Sequence, residues 1–195
     1  MLIKSGFEVA QPVDRVWRFF DDIHQVAACL PGAELTDELG DDKYLGRVAV
    51  RMGPVKLQFS GTAAIKERDE EAKRIVVDAA GADDKGRGQA TMLVTASLVA
   101  VRGGTRVDVV QDLQVSGAAA QYGRGMISDV TAILMRDFAG SVQARIDAID
   151  RGVSPDQVGA TRSASGFAIA LRAVRLALGR VLRRFFLPYR PPTTS

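Results

Sequence analysis

Reactive side chains are scarce in this sequence of 195 residues, which has one histidine, His24, and one cysteine, Cys29. A single cysteine cannot form an internal disulfide, so nothing points to an oxidising compartment. Catalytic triads and zinc sites need an imidazole with partners nearby. His24 and Cys29 lie five positions apart on a short predicted helix, and no obvious carboxylate orients the pair. We therefore predict no catalytic residues, no metal site and no enzymatic activity.

Several other functional patterns are also missing. The sequence has no run of about 18 uncharged apolar residues, so a membrane-spanning helix is not expected. Its first residues alternate and carry charge, unlike a signal peptide. The segment 86–88 lacks the third glycine of a dinucleotide-binding loop. The acidic pairs at 41–42 and 83–84 are interpreted as turns rather than as acid–base pairs.

Charge is distributed unevenly along the chain. Residues 1–156 contain all 23 acidic residues and 19 of the 26 basic ones, whereas residues 157–195 contain seven arginines and no acid. An acidic body argues against nucleic-acid binding. A basic tail indicates attraction to an anionic surface.

The periodicity of apolar residues predicts an α+β fold. Residues 2–10 alternate as a strand, and a helix begins at Pro12 with Val13, Val16, Trp17 and Phe20 on one side. A second short helix covers 23–29. An antiparallel sheet with one buried face then follows. Its candidate strands are 43–52, 54–66, 74–80, 88–102 and 105–115.

A long helix is predicted from the N-cap Ser116 to Asp150, after Gly117 lets the chain leave the last strand. Such a helix would be about 50 Å long. Its apolar stripe shifts around the helix after Leu134, so we expect the two halves to face different surroundings, with a possible bend at Gly140.

The buried face of the sheet includes small residues where a tight core would prefer larger ones. These are Gly46, Ala63, Ala90, Ala96 and Ala100. The adaptable side chains Met52, Met92 and Met126 are placed where they could line an interior. Two interpretations stay open: the small residues adjust ordinary packing, or they leave a cavity.

Three separated motifs occur in a specific order: AACLPG at 27–32, RMGPVK at 51–56 followed by FSG at 59–61, and the segment 117–125 before the long helix. Together they resemble the CoxG family of carbon monoxide dehydrogenase subunits, and the resemblance covers residues 1–150. The motifs themselves look structural, with turns at 31–32 and 53–54 and a strand kink at Gly61.

The resemblance implies a START-like, helix-grip fold, in which a curved antiparallel sheet wraps around a long C-terminal helix and encloses a cavity for hydrophobic ligands. It also implies association with molybdenum-dependent CO dehydrogenase and a role in attaching that enzyme to the membrane. It offers no catalytic set. We expect a ligand-binding domain at 1–150, a flexible linker at 151–166 and an amphipathic helix at 167–188.

The predicted tail helix has an apolar face and a basic face, which is typical of a helix lying in the plane of a membrane with arginines on anionic headgroups. The candidate membrane-binding residues are Phe167, Leu171, Arg172, Val174, Arg175, Leu178, Arg180, Leu182, Arg183, Arg184, Phe185 and Phe186. Docking on a partner protein and packing on the protein's own body are the alternatives.

The leading hypothesis is a non-enzymatic module at the inner face of the cytoplasmic membrane. It would hold a respiratory quinone such as menaquinone, or a lipid, without a covalent cofactor, and recruit CO dehydrogenase. Tyr122 could hydrogen-bond a quinone carbonyl. The alternatives are a tether without ligand and a small cyclase or hydrolase. The candidate ligand-binding residues are Leu30, Met52, Phe59, Met92, Tyr122, Met126 and Leu134.

Overall fold

A computed structural model describes residues 1–154 of the chain. Most of the predicted linker and the whole predicted tail helix, with its candidate membrane-binding residues, lie outside the described residues. The elements in chain order are β1 Leu2–Val9, α1 Val13–Asp21, α2 Ile23–Cys29, β2 Ala33–Gly40, β3 Lys43–Met52, β4 Val55–Asp69, β5 Arg74–Asp83, β6 Gly88–Val101, β7 Gly104–Gly117, a 3-10 helix Ala118–Tyr122 and α3 Gly123–Asp150.

The seven strands form one antiparallel sheet in the order β1-β7-β6-β5-β4-β3-β2. Successive strands from β2 to β7 are neighbours, and β1 closes the order by pairing with β7. Asp41 and Asp42 adopt positive φ angles of 50° and 55° in the β2–β3 turn, which confirms that this acidic pair belongs to a turn.

Strand β2 is missing from the sequence prediction. It is an edge strand that carries Glu34, Asp37 and Glu38, and most of its residues are exposed. A charged edge strand shows little apolar alternation, because charge there protects the sheet from pairing with another chain. The pattern that revealed the other strands is therefore weak in β2.

The two short helices form where the sequence predicts them. Helix α1 buries Val16, Trp17, Phe19 and Phe20. The Asp22 side chain caps α2 by accepting hydrogen bonds from the backbone N–H groups of His24 and Gln25, each at 3.1 Å. These helices lie between β1 and β2 in the chain, and their buried residues share one apolar cluster with residues of β6, β7 and α3.

The predicted start of the long helix is wrong. Ser116 is not an N-cap but stays in β7, where it pairs with Gln89, and the chain then passes through the 3-10 helix before α3 begins at Gly123. The ladder with β6 extends to Gly117, whose φ of 72° turns the chain out of the sheet. Helix α3 therefore has 28 residues, and it remains α-helical through Gly140.

The apolar core consists of two separate clusters, and α3 contributes to both. The first cluster joins α1, α2 and the sheet to Phe138, Val142 and Ile146 of α3. The second is smaller, with Ile3, Met52, Leu57, Ala119 and Ile127 as its buried members. This division confirms that the two halves of the helix face different surroundings.

A buried ion pair fixes the corner where β4, β5 and β6 meet. The Asp83 carboxylate accepts hydrogen bonds from Arg87 at 2.7 and 2.8 Å and from the backbone N–H groups of Gln58 and Lys85. Arg87 also donates to the Lys56 carbonyl at 2.9 Å. The Arg87 guanidinium first of all, then the backbone donors, hold the pKa of Asp83 well below its ordinary value, against the opposing effect of burial.

Replacing Phe138 by Ala should lower the free energy of unfolding by about 3–5 kcal/mol, because a buried ring is lost and a cavity remains. The ring meets Phe7 and Phe20 edge to face, with centroids 5.8 and 6.2 Å away. Ile133→Ala is the matched control, since Ile133 is 50% exposed on the same helix; it should cost less than about 0.5 kcal/mol. Urea denaturation measures both, and equal losses would contradict the division of α3.

Replacing Asp83 by Asn should lower the melting temperature at pH 7, because Arg87 loses its buried partner. A carboxyl with a depressed pKa in the folded state stabilises the protein above its unfolded pKa of about 3.9, and that stability is lost as the pH falls further. The difference between wild type and variant should therefore shrink below pH 4. Asp84→Asn is the control, because Asp84 is exposed and bonds only Ser60. A difference that persists unchanged at low pH would refute the role of the charge.

Candidate ligand-binding site between the sheet and α3

The register of the sheet places its small inward-facing residues side by side. Gly46 pairs with Gly61, Gly61 with Gly81, and Gly81 with Ala90, which gives a row across β3, β4, β5 and β6. The next row contains Tyr44, Ala63, Ala79 and Met92. Side chains alternate along a strand, so both rows face the same side as the core residues. The centre of the sheet thus has a floor with few side-chain atoms.

Gly61 shows why a small residue is required in this floor. A Cβ atom there would lie 2.0 Å from the Ala80 carbonyl oxygen and 2.5 Å from the Gly81 Cα, which no side chain could accommodate. Strands β4 and β5 approach each other this closely because neither Gly61 nor Gly81 carries a side chain. The glycine therefore serves the close approach of two strands, as expected for a kinked position.

Several inward-facing apolar residues between the two core clusters are only half-buried. Val48, Met92 and Leu134 pack against the buried members of neither cluster. We call this part of the sheet–helix interface the inter-cluster space; its inward residues are Val48, Ala63, Ala79, Met92 and Leu134. Apolar side chains on an inner face that stay partly exposed and join neither cluster indicate looser packing there than within the clusters.

The seven candidate ligand-binding residues fall into four groups. Met52 is buried in the second cluster, and Phe59 and Tyr122 are half-buried against it. Met92 and Leu134 belong to the inter-cluster space. The remaining two are Leu30, which packs on the first cluster, and Met126, which is 41% exposed near the start of α3. Three of the seven thus belong to the second cluster and two to the inter-cluster space, and a ligand contact for any of them stays a prediction.

Two concavities on the described part of the chain lie elsewhere. The larger, about 490 Å³, is a groove along β1 and β7, and its lining consists of Lys4, Ser5, Gly6, Arg106, Asp108, Val109 and Val110. The smaller, about 100 Å³, lies where α1, α2 and α3 meet, beside Arg15 and Ile146. Neither includes a candidate ligand-binding residue.

Polar groups surround the inter-cluster space at positions that the sequence analysis did not single out. Tyr44 lies at one end of the floor, and burial, with the nearby carboxylates of Asp42 and Glu38, raises the pKa of its phenol. On the other side, Ser5 and Gln111 interrupt the apolar faces of β1 and β7. A polar residue within a strictly alternating apolar face is the signal that could have identified them.

The histidine and the cysteine have different surroundings. The His24 Nε2 atom lies 2.5 Å from the Glu38 Oε1 atom on the surface, whereas Cys29 is buried in the first cluster. The sequence shows no obvious carboxylate to orient the two residues; the structure places Glu38 beside His24, and Glu38 belongs to β2, the strand that the sequence prediction missed. Residues 1–154 contain no group of three or more His, Cys, Asp or Glu side chains suited to a metal ion.

None of the helices within residues 1–154 combines the length and the hydropathy that a membrane crossing demands.

Comparison with solved structures places the chain among helix-grip proteins, and comparison with curated sequences gave no match. A conserved protein from Geobacillus kaustophilus is 20% identical with a TM-score of 0.68, over 75% of this chain and 95% of that one. The Zhui aromatase/cyclase from Streptomyces sp. R1128 is 15% identical with a TM-score of 0.55, over 76% and 94%. Protein Ms6760 from Mycobacterium smegmatis is 19% identical with a TM-score of 0.53, over 76% and 92%.

At these identities the solved structures establish the fold alone: a curved antiparallel sheet with a long C-terminal helix. The sequence itself matches one family, described as the CoxG subunit of carbon monoxide dehydrogenase, over residues 6–147. That match spans nearly all of the sheet and α3, including the motifs at 27–32, 51–56 and 117–125. The chain belongs to the CoxG family of carbon monoxide dehydrogenase subunits.

Proposed function

We propose that this protein is a non-enzymatic carrier that holds a hydrophobic ligand between its sheet and α3 and recruits CO dehydrogenase to the inner face of the cytoplasmic membrane. The observation that carries the proposal is the inter-cluster space, where a glycine and alanine floor faces half-buried apolar side chains. Family membership and fold together suggest a ligand-binding role linked to CO dehydrogenase.

The ligand that best fits this role is a respiratory quinone such as menaquinone. An enzyme that oxidises CO outside the bilayer must pass its electrons to a mobile acceptor, and isoprenoid quinones are confined to the bilayer. A quinone ring is flat and largely apolar, so it suits a shallow floor of small residues. A carrier at the membrane surface would bring the ring within reach of the enzyme.

Entry of such a ligand requires α3 to separate from part of the sheet. The second cluster has five buried residues and the first has fourteen, so separation costs less free energy at the N-terminal half of α3. Met126 and Ile133, both on that half, are 41% and 50% exposed and lose little contact when it moves. We assign the entrance to that end, beside Phe59 and Tyr122.

Membrane attachment is assigned to the sequence of residues 167–188. Each basic residue near an anionic membrane surface contributes about 1 kcal/mol, so its five arginines and its phenylalanines together would hold the protein at the bilayer. The acidic body would be repelled by the same surface. Attraction of the tail and repulsion of the body would together keep the body in the water beside the membrane, where it can meet CO dehydrogenase.

A second candidate function is recruitment of CO dehydrogenase without a ligand. It is favoured by the position of the two described concavities, which lie outside the inter-cluster space. A cyclase or hydrolase has less support, because the likeness to an aromatase/cyclase extends to the fold alone and Asp83, buried at the sheet corner, is already paired with Arg87.

The carrier proposal is tested by extracting the purified full-length protein with organic solvent and identifying the extract by mass spectrometry. An isoprenoid quinone near one per protein is expected. Met92→Trp should abolish its retention, because an indole would fill the inter-cluster space. Leu93→Trp is the matched control, since the adjacent Leu93 is 46% exposed on the outer face. Equal retention by both variants, or an extract without any apolar molecule, would rule out this site.

Attachment is tested by flotation of the full chain with vesicles that contain phosphatidylglycerol or only phosphatidylcholine. Binding to the anionic vesicles should be lost when residues 167–195 are deleted and should fall at least tenfold when Arg172, Arg180 and Arg183 are all changed to Gln, since each charge is worth about 1 kcal/mol. The matched control changes three exposed arginines of the body, Arg47, Arg106 and Arg136, to Gln. Unchanged flotation of the deletion variant would disprove the tail assignment.

A further inference from the structure

Two polar side chains lie on the inner face of the sheet between the two apolar clusters. On β1, Ser5 separates Ile3 of the second cluster from Phe7, which packs on the first. On β7, Gln111 separates Val109 of the first cluster from Leu113, which packs on the second. The division of the core thus coincides with a polar position on each of two adjacent strands.

The Ser5 hydroxyl is buried without a partner. Its Oγ atom has essentially no exposed surface, and no hydrogen-bond donor or acceptor of residues 1–154 reaches it. Native proteins seldom leave a buried hydroxyl unsatisfied, because its hydration is lost without replacement. No other buried side-chain oxygen or nitrogen of the described chain is in this position.

Gln111, which is not among the buried unsatisfied groups, makes one weak side-chain hydrogen bond. It is 7% exposed, and its Nε2 atom donates to the Met135 Sδ atom at 3.4 Å. A thioether sulfur is a weak acceptor, and the side-chain carbonyl and second amide hydrogen have no partner of their own among the described residues. A buried amide with one weak bond keeps most of its hydrogen-bonding capacity available.

The register brings these two groups together. Ser5 pairs with Val109, and Gln111 pairs with Ile3. The two polar residues are therefore diagonal neighbours, with about 7–8 Å between their Cα atoms. Gln111 also pairs with Val94, two residues from Met92. Its bond to Met135 shows that α3 passes over it, so the pair borders the inter-cluster space on the β1 side.

We propose that Ser5 and Gln111 form a hydrogen-bonding site for the polar oxygen of an otherwise apolar ligand. The Ser5 Oγ–H and the Gln111 Nε2–H donate to one carbonyl oxygen, which gives the hydroxyl and the second amide hydrogen an acceptor and fixes the polar end of the ligand against β1 and β7. The apolar remainder lies over the glycine and alanine floor toward Phe59. This inference rests on the proposed carrier function and assigns the orientation of the ligand within it.

The recognised chemistry is a carbonyl oxygen on an apolar body, which both a quinone and an ester of a long-chain fatty acid present. Ser5 and Gln111 carry no formal charge, so the site selects against ionised carboxylates, whose burial without a cation is costly. The site is also distinct from the Tyr122 hydroxyl, because Tyr122 packs on the second cluster.

The test measures binding of three probes to the full chain after its native ligand has been removed. The probes are a menaquinone with a short isoprenoid chain, a naphthalene with the same chain but no carbonyl, and methyl oleate. The variants are Ser5→Ala and the near-isosteric Gln111→Met. Gln114→Met is the matched control, because Gln114 lies on the exposed outer face of β7.

Each variant should weaken one or both carbonyl probes about tenfold through the lost hydrogen bond, and leave the naphthalene unchanged. The carbonyl probe that loses affinity in the variants shows whether the site recognises the oxygen of a quinone or that of a fatty-acid ester. With a ¹³C-labelled carbonyl, the infrared stretch of the bound probe should shift to lower frequency in wild type and Gln114→Met and return toward its free value in the two variants.

The outcomes separate the two proposals. If none of the three probes binds the wild-type protein, the carrier function itself is wrong. If the probes bind, but both variants retain wild-type affinity and the carbonyl stretch, the carrier function stands and the Ser5–Gln111 site is wrong. The melting temperature of ligand-free Ser5→Ala should be equal to or above that of wild type, since no bond is removed; a marked fall would show a structural role and overturn the site.

Discussion

The packing of one helix on a curved sheet at two separate places is the constraint on which this structure depends. Phe138, Val142 and Ile146 secure the C-terminal half of α3 in the first cluster, and Ile127 secures its other half in the second. A straight helix cannot follow a curved sheet throughout its length. The contact between them is therefore divided, and the sheet residues paired across the floor between the two places are mostly small.

The sequence predicts the elements of this fold better than their arrangement. Apolar periodicity identifies β1, both short helices and five of the six other strands, because their inward faces are apolar and their outward faces polar. It fails at β2, whose charged edge has little such contrast, and at Ser116, where a residue suited to cap a helix remains in the sheet ladder. Tertiary pairing decides such positions, and a local pattern cannot represent it.

The candidate site shows the same limit. Small residues such as Gly46, Ala63 and Ala90 are visible in the sequence as possible signs of a cavity, but only the register shows that they share a floor with Gly61 and Gly81. Ser5 and Gln111 are visible as breaks in apolar faces. That they are neighbours depends on the pairing of β1 with β7, strands separated by about a hundred residues of sequence.

The division of the core also separates the residues that stabilise the fold from those that would move to admit a ligand. The first cluster, with its three edge-to-face phenylalanine contacts, holds most of the buried apolar residues and can keep the sheet and α3 together by itself. The opening of the second cluster that the proposed carrier requires would then be a local event that costs a fraction of the global free energy of unfolding. The Asp83–Arg87 pair stabilises the sheet corner beneath it through Lys56 and the 3-10 helix, since the Arg87 carbonyl accepts from the Ala119 N–H group. In the proposed carrier, opening would displace the helix rather than the floor, and the proposed hydrogen-bonding pair on β1 and β7 would keep its geometry while a ligand enters.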